Sequence, residues 1–260
     1  DPLSMKRTIA LLAVPGVQLL DMAGPVDVFA EANRILRRQV YEPVIISLDT
    51  QAITASSGVT LTANYPLDQT STLQPDTFLL AGAPEIARHN LTESERSQIR
   101  ALCEKSQRYG SVCTGAFLLA QTGLLDGRKI TTHWAASALF STSFPHITVD
   151  SDALYVMDGP VRTAAGVTSG MDLAIRLVEE DLGREVAQDI ACNLVMFFRR
   201  PVHQGHFVQR RVFSPSGRSA FQDLQRWTLD NLPVVLSLKD MADHIGLSTR
   251  HLHRLFRHEM

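Results

Sequence analysis

Cys113 lies where a cysteine thiol could act as a nucleophile or hold a ligand. It follows the short β-rich run 109–112 and precedes the apolar helical run 116–120, so it marks the corner of a predicted strand-to-helix turn. Such a turn strains the backbone of its central residue and lifts that side chain out of the sheet. The small residues Gly110 and Gly115 would let the strand and the helix approach closely.

This position predicts two chemical properties for the turn. The positive end of the following helix should lower the pKa of the Cys113 thiol and favour the thiolate. The backbone N–H groups around Thr114 and Gly115 should be able to hold an oxyanion or the carboxylate of a ligand.

A second chemical feature is a basic helix near the end of the chain. Ala242 provides a small helix contact, Gly246 a turn, and Ser248 an N-cap, which together predict a helix-turn-helix. Leu252 and Leu255 should face inward on its second helix. A helix that is apolar inside and basic outside suits the major groove of DNA, and the outward side chains here are Arg250, His251, His253, Arg254 and Arg257.

The elements that position these groups alternate between β-rich runs and helical stretches, which favours an α/β fold with a largely parallel sheet flanked by helices. A small all-α helix-turn-helix segment follows it. Strands are predicted at 8–14, 44–48, 77–80 and 129–134, hairpins at 53–61 and 147–164, and helices near 26–33, at 93–107, 171–180, 184–198 and 220–232. The pattern predicts an α/β domain at 5–198, a linker at 199–219 and a DNA-binding domain at 220–260.

Composition limits the function classes. The chain of 260 residues is 45% hydrophobic and 20% charged, without an apolar run long enough for a membrane span. Three widely spaced cysteines favour neither a disulfide framework nor a zinc site, and a cytoplasmic location is expected. His203 and His206 lack an evident third ligand, so no metal or other cofactor is predicted.

Charge is distributed unevenly along the chain. Residues 200–260 carry nine Lys and Arg against five Asp and Glu, whereas the rest carries 16 against 22. The basic end is therefore the end with the predicted helix-turn-helix, as contact with phosphates requires.

The terminal segment resembles the first of the two helix-turn-helix units of AraC/XylS-type transcriptional regulators. The shared pattern consists of Ala242, Gly246, Ser248, Arg250, Leu252, Arg254 and Phe256. The resemblance implies that Arg250, His253 and Arg254 contact bases, with His251 and Arg257 nearer the phosphates. That family has a second such unit about forty residues further on, so we expect the sequence to be truncated after Met260.

The body resembles the ThiJ/PfpI superfamily, which is similar to class I glutamine amidotransferases. Three motifs in order carry the resemblance, and they are 21–25 (DMAGP), 111–116 (SVCTGA) and 131–134 (TTHW). It implies a flavodoxin-like, amidotransferase-like sandwich with Asp21 as an acid beside Cys113 and with Gly82 and Ala83 forming a backbone pocket opposite. Together the two parts resemble GlxA-type regulators, which implies that 5–198 is a sensor and dimerisation domain and that 220–260 holds the first helix-turn-helix of the DNA-binding domain.

Two functions follow from these resemblances. In the first, a homodimeric regulator binds operator DNA, and a non-catalytic domain binds a small-molecule effector through Cys113, Thr114, Gly115, Asp21, Gly82 and Ala83. In the second, an isocyanide-hydratase-like or PfpI-like enzyme uses Cys113 as nucleophile and Asp21 as acid/base. The residue after Cys113 is Thr114, not the His of hydrolytic PfpI proteins, and His133 in a buried strand is expected to be structural.

A redox sensor that uses a low-pKa Cys113 is a third hypothesis.

Overall fold

The computed structural model describes residues 6–200, 203–205, 224, 227–228 and 237–259, with side chains described as far as Arg254. The chain divides into two compact units, Asp1–Val208 and Gln209–Met260, called the first and the second unit below. No helix among the described residues is both long enough and apolar enough to cross a membrane.

The first unit is built on a seven-stranded sheet in the order β10-β11-β7-β6-β1-β2-β5. All neighbouring pairs are parallel except β10 and β11, which form an antiparallel hairpin. The α/β prediction with a largely parallel sheet is confirmed. The strands of this sheet are β1 (Arg7–Ala13), β2 (Tyr41–Ser47), β5 (Tyr65–Pro66), β6 (Thr77–Leu80), β7 (Arg108–Val112), β10 (Tyr155–Asp158) and β11 (Val161–Ala164).

Two small sheets accompany it. The predicted hairpin at 53–61 is confirmed as the antiparallel pair β3 (Ala52–Thr54) and β4 (Thr60–Thr62). The other small sheet pairs β8 (Lys129–Ile130) with β9 (Thr148–Val149) in parallel.

Helices cover both faces of the large sheet. The side chains of Ala10 and Leu12 join the core under α2, α3 and α4, whereas those of Ile9 and Leu11 join the core under α1, α5 and α6. This division follows from the two-residue period of a strand, and the uninterrupted apolar run of β1 reflects its burial on both faces. The helices are α1 (Leu19–Leu36), α2 (Glu93–Lys105), α3 (Ala116–Ala120), α4 (Ser137–Ser143), α5 (Ser169–Leu182) and α6 (Arg184–Asn193).

Three sequence predictions about the first unit are wrong. The strand expected at 129–134 ends at Ile130, because the next backbone donor, the Thr131 N–H, bonds to the Thr163 hydroxyl instead of a carbonyl of a neighbouring strand. The helix expected to continue to Phe198 ends at Asn193. Cys103 and Cys192 lie on apolar faces of the predicted helices, which predicts that both are core residues; Cys103 is buried, but Cys192 is exposed.

The second unit contains the predicted helix-turn-helix. Its helices are α7 (Leu238–His244) and α8 (Thr249–Glu259), and Ala242 and Leu252 are buried together with Leu224. Gly246 adopts φ 68°, a left-handed conformation that suits glycine in the turn. Ser248 caps α8, since its Oγ accepts a hydrogen bond from the His251 N–H at 3.2 Å.

Only part of the expected helix at 220–232 is described. Leu224, Trp227 and Thr228 are helical, and the Trp227 ring stacks on His244 with centroids 4.4 Å apart. The side chains of Leu255 and Arg257, and most of the predicted linker, lie outside the described residues. The boundaries proposed at 199–219 remain a prediction.

Candidate functional site

The cysteine turn has the backbone strain that its sequence predicts. β7 ends at Val112, Cys113 takes φ 60°, and a short 3-10 turn over Cys113–Gly115 leads into α3. A Cβ atom on Gly115 would lie 2.0 Å from the carbonyl oxygen of Leu80. Glycine is therefore required at this position, because any side chain would collide with the backbone of β6.

Asp21 is the buried acid beside this cysteine. It lies in the first turn of α1 and has no exposed surface. Its carboxylate accepts hydrogen bonds from the Val167 N–H at 2.7 Å and the Gly82 N–H at 3.1 Å. Burial raises the pKa of Asp21 to about 6, against the opposing effect of these backbone hydrogen bonds and of one to Cys113. Asp21 can therefore change protonation state near neutral pH.

The expectation of a low-pKa thiol is wrong. Burial, and secondarily the charge of Asp21, raise the pKa of the Cys113 thiol to about 12. The helix that follows the turn has only five residues. Two glycines pack closely against Cys113 and contribute to its burial. A Cβ on Gly82 would lie 2.7 Å from Cys113 Cβ, and a Cβ on Gly166 would lie 2.6 Å from Cys113 Sγ. The redox-sensor hypothesis thereby loses the reactive thiolate on which it rested.

Thr114 connects the turn to the strand end opposite. Its hydroxyl donates to the Ala83 carbonyl at 3.0 Å and lies 3.2 Å from the Ala83 N–H, which donates to it. The Gly82 N–H donates to Asp21, as above. The structure thus brings the predicted ligand-binding residues together, but the N–H groups of Gly82 and Ala83 are engaged by side chains of the protein itself.

The sequence patterns do not predict two of the contacts made by Cys113 and Asp21. Thr132 Oγ1 donates to the Cys113 carbonyl at 2.8 Å, and the loop before α5 contributes Gly166 and Val167. Val167 has φ 52°, which is unusual for a β-branched residue. The Gly-Val-Thr-Ser-Gly run at 166–170 was the available signal, but nothing local indicates that it would pack against Cys113.

His133 lies in a different setting from the one predicted. It is half-buried, outside any strand, and its Nδ1 accepts a hydrogen bond from the Ala135 N–H at 3.2 Å. An accepting Nδ1 places the ring hydrogen of a neutral imidazole on Nε2. Burial lowers the pKa of His133. The contact with Ala135 supports the structural role expected for this side chain.

A cavity of about 500 Å³ opens at the carboxyl ends of β1, β2 and β6, beside the cysteine turn. Ligands of open α/β sheets bind at this edge. Ala83 belongs to both features, because it lines the cavity and holds Thr114. The lining also includes Val14, Pro15, Gly16, Leu48, Asp49, Ser56, Pro84, Glu85, Ile86, His89 and Glu95.

The candidate DNA interface lies on α8. Arg250, His251, His253 and Arg254 are all exposed. Arg250, His253 and Arg254 share one helical face, since they are separated by three and four residues, and they border a shallow depression with Leu238 and Thr249. Arg254 Nη2 lies 3.3 Å from His251 Nε2.

Within the described part of the chain, no group of three or more His, Cys, Asp or Glu side chains could hold a metal ion. His206, one member of the pair considered in the sequence, lies outside that part.

Comparison with known proteins places these features in context. A model of the DJ-1/PfpI family matches residues 7–180. The HTH-type transcriptional regulator GbdR from Pseudomonas aeruginosa is 27% identical over 252 residues, which cover 96% of this chain and 67% of that regulator. The isonitrile hydratase from Pseudomonas putida is 30% identical over 190 residues, 73% of this chain and 78% of the enzyme.

Solved structures agree on the fold. A crystal structure of an AraC family transcriptional regulator from Pseudomonas putida superposes with a TM-score of 0.63 at 22% sequence identity. The match covers 73% of this chain and 100% of that one, and at this identity it concerns the fold alone.

Proposed function

The chain belongs to the DJ-1/PfpI family, and we propose that it is a transcriptional regulator whose first unit senses a small molecule and whose second unit binds DNA. One observation carries the proposal. The similarity to a helix-turn-helix regulator extends over 96% of the chain, whereas the family model ends at residue 180. The relationship therefore includes the segment in which α7 and α8 form a capped helix-turn-helix.

The chemistry of α8 supports DNA as the partner. Arg250, His253 and Arg254 offer donors on one exposed face, and arginine recognises guanine through two hydrogen bonds in the major groove. Under this proposal these three contact bases, and His251 and Arg257 lie nearer the phosphates. A homodimer would present two such helices to two half-sites of the operator. The proposal also places the protein in the cytoplasm.

The effector is proposed to bind at the cysteine turn and in the neighbouring cavity. The volume of about 500 Å³ suits a small metabolite. Ala83 lines the cavity and is hydrogen-bonded to Thr114, while Gly82 is hydrogen-bonded to Asp21. A molecule that displaces the loop at 82–83 would therefore disturb the surroundings of Cys113. In this role Cys113, Thr114, Gly115, Asp21, Gly82 and Ala83 form a binding site without chemistry.

A second candidate function is supported by the contact of Asp21 with Cys113. A carboxyl group whose pKa is about 6 can donate or accept a proton near neutral pH. The chain also resembles an isonitrile hydratase over most of the first unit. Against this candidate, the raised pKa of the Cys113 thiol leaves little thiolate at pH 7.

A mobility-shift experiment tests the regulator against the enzyme. The DNA upstream of the native gene cluster is titrated with this chain and with a version extended beyond Met260. Selective binding that weakens steeply with salt is expected for the extended protein. Absence of selective binding by both proteins, together with turnover of an isonitrile that Cys113→Ser abolishes, would favour the enzyme instead.

A further inference from the structure

A few residues after α6 ends, the chain is hydrogen-bonded to the two segments that contact Cys113, which are 131–134 and 166–168. Arg199, Arg200 and residues 203–205, called the exit segment here, lead along the chain toward the second unit, which begins at Gln209. Arg199 and His203 are exposed, but the side chains of Arg200 and Gln204 make contacts with the first unit instead of extending into solvent as those of a plain linker would. Gln204 in particular is only 2% exposed.

The first attachment is the buried amide of Gln204. Its Oε1 accepts from the Trp134 N–H at 2.8 Å, and its Nε2 donates to the Thr132 carbonyl at 3.1 Å and the Ala153 carbonyl at 2.9 Å. Thr132 is the residue whose hydroxyl donates to the Cys113 carbonyl. One residue thus separates the exit segment from the cysteine turn.

The backbone strengthens this attachment. The Gln204 N–H donates to the Asp152 carbonyl at 2.8 Å, and the Gly205 N–H donates to Asp152 Oδ1 at 2.8 Å. A buried amide with its donors and acceptor satisfied fixes one geometry, because moving it would leave several polar groups without partners.

The second attachment is Arg200. Its guanidinium binds the carboxylate of Asp172 on α5 through two nitrogens and donates to Thr168 Oγ1 at 3.1 Å. Thr168 directly follows Val167, whose N–H donates to Asp21. The loop at 166–168 therefore packs against Cys113 and Asp21 on one side and is held by the exit segment on the other.

We propose that the exit segment is a latch that couples the occupancy of the cysteine turn to the second unit. Gln204 is hydrogen-bonded to the segment 131–134, which contacts Cys113. Arg200 is hydrogen-bonded to the segment 166–168, which contacts both Cys113 and Asp21. A ligand that shifts either segment would break hydrogen bonds of the latch and change where the tether to the DNA-binding unit begins. This mechanism rests on the proposed regulatory function and assigns its internal connection to specific residues.

The forward test perturbs the turn and observes the latch. In the full chain, Asp21→Asn replaces one acceptor oxygen by a donor and so disrupts the bond with either Val167 or Gly82. Hydrogen–deuterium exchange should then accelerate at Gln204, Gly205 and Trp134 by about fivefold or more. Faster exchange confined to Val167 and Gly82, with unchanged rates at 203–205, would overturn the latch.

The reverse test cuts the latch and observes the turn. Coupling between two sites is reciprocal, so Gln204→Ala should change the alkylation rate of Cys113 by iodoacetamide, with an expected increase of about threefold or more. The measurement uses a Cys192→Ser background because Cys192 is exposed. An unchanged Cys113 rate in a folded Gln204→Ala variant would contradict the latch.

Asn33→Ala is the matched control for both tests. Asn33 also makes three side-chain hydrogen bonds with backbone groups, but it connects α1 to Val40 and Tyr41. It should leave exchange at 203–205 and the Cys113 rate at parental values, and a response as large as that of Gln204→Ala would indicate general loosening and overturn the proposal. If Gln204→Ala does not fold, the exchange measured in Asp21→Asn decides.

The two proposals fail separately. A protein that binds DNA selectively but shows neither response refutes the latch and keeps the regulator. A protein that shows both responses but no selective DNA binding supports the latch and refutes the regulator.

Discussion

Asp21 combines complete burial with a carboxylate that is held by backbone N–H groups from two distant segments. Burial opposes ionisation more strongly than the hydrogen bonds favour it, so the pKa of Asp21 rises to about 6. The unfolded chain would ionise this group near 3.8. Since the folded pKa is raised, Asp21 contributes stability below about pH 3.8 that is lost as the pH rises through about 6.

The pH dependence of stability tests this reasoning. Relative to Asp21→Asn, which cannot ionise, the wild-type protein should lose about 3 kcal/mol of unfolding free energy between roughly pH 4 and pH 7, and the difference should then level off. Urea unfolding of both proteins across that range measures it. Asp27→Asn, which removes an exposed carboxylate from the same helix, controls for the general charge effect. A difference that grows in favour of the wild type with rising pH would contradict the assigned pKa direction.

The proposed contact of Arg254 with a DNA base can be tested by substitution. If its guanidinium contacts a base, Arg254→Ala in the extended protein should weaken operator binding by about 1–3 kcal/mol and relax the sequence preference at one position. Fluorescence anisotropy with a labelled operator duplex measures both effects. Arg100→Ala, an exposed helical arginine of the first unit that pairs with Glu104, is the control. Equal affinity for Arg254→Ala and the parent would remove Arg254 from the interface.

The sequence indicates the identities of the site residues better than their environments. Cys113, Asp21 and Gly82 are brought together as predicted, because each follows the carboxyl end of a neighbouring parallel strand. The sequence predicts a lowered pKa for the Cys113 thiol, whereas burial raises it. Its burial depends on Gly166, which is distant in sequence, and no local pattern reports such a contact.

At the scale of elements, the packing of β6, β7 and the cysteine turn determines which residues fit. A Cβ on Gly115 would meet backbone atoms of Leu80 and Ala81, not a flexible side chain. Gly123 offers a comparison, because nothing lies within 4 Å of its added Cβ and only its φ of +77° opposes substitution.

Gly115→Ala should therefore destabilise the first unit by about 1–3 kcal/mol or more through overpacking. Gly123→Ala should cost about 1–2 kcal/mol, the penalty of a left-handed conformation alone. Urea denaturation of both variants gives the comparison. If Gly123→Ala costs clearly more than Gly115→Ala, the close contact between the turn and β6 is not what restricts position 115.

Element boundaries show where sequence patterns stop being informative. The β-rich run 129–134 has the composition of a strand, yet Thr131 and Thr132 are buried outside any strand. Their hydroxyls donate hydrogen bonds to the carbonyls of Ala153 and Cys113. Val195 and Phe197 fit the helical period of α6, but they follow its end and are 93% and 62% exposed. Periodicity predicts which face is apolar, whereas the end of an element depends on tertiary contacts.

At the scale of the whole molecule, the charge distribution matches the division into two units. The basic excess lies in residues 200–260, which include the helix-turn-helix, and the acidic excess lies in the rest. This arrangement favours contact of nucleic acid with the second unit and disfavours it elsewhere. The first unit contains a buried acid–thiol pair and a cavity, which are compatible with the proposed binding of a small molecule.

Transcription from the neighbouring genes tests the central claim most directly. Transcript levels would be measured in a strain that lacks the native gene and again after complementation with three alleles of the complete gene: wild type, Arg250→Ala with Arg254→Ala, and Cys113→Ser. We expect the wild type to restore regulation, the double variant to fail at comparable protein abundance, and Cys113→Ser to retain DNA-dependent regulation even if its effector response changes. Restoration by the double variant to the wild-type level, or complete loss with Cys113→Ser alone accompanied by loss of an isonitrile-hydrating activity, would contradict a regulator that acts through α8.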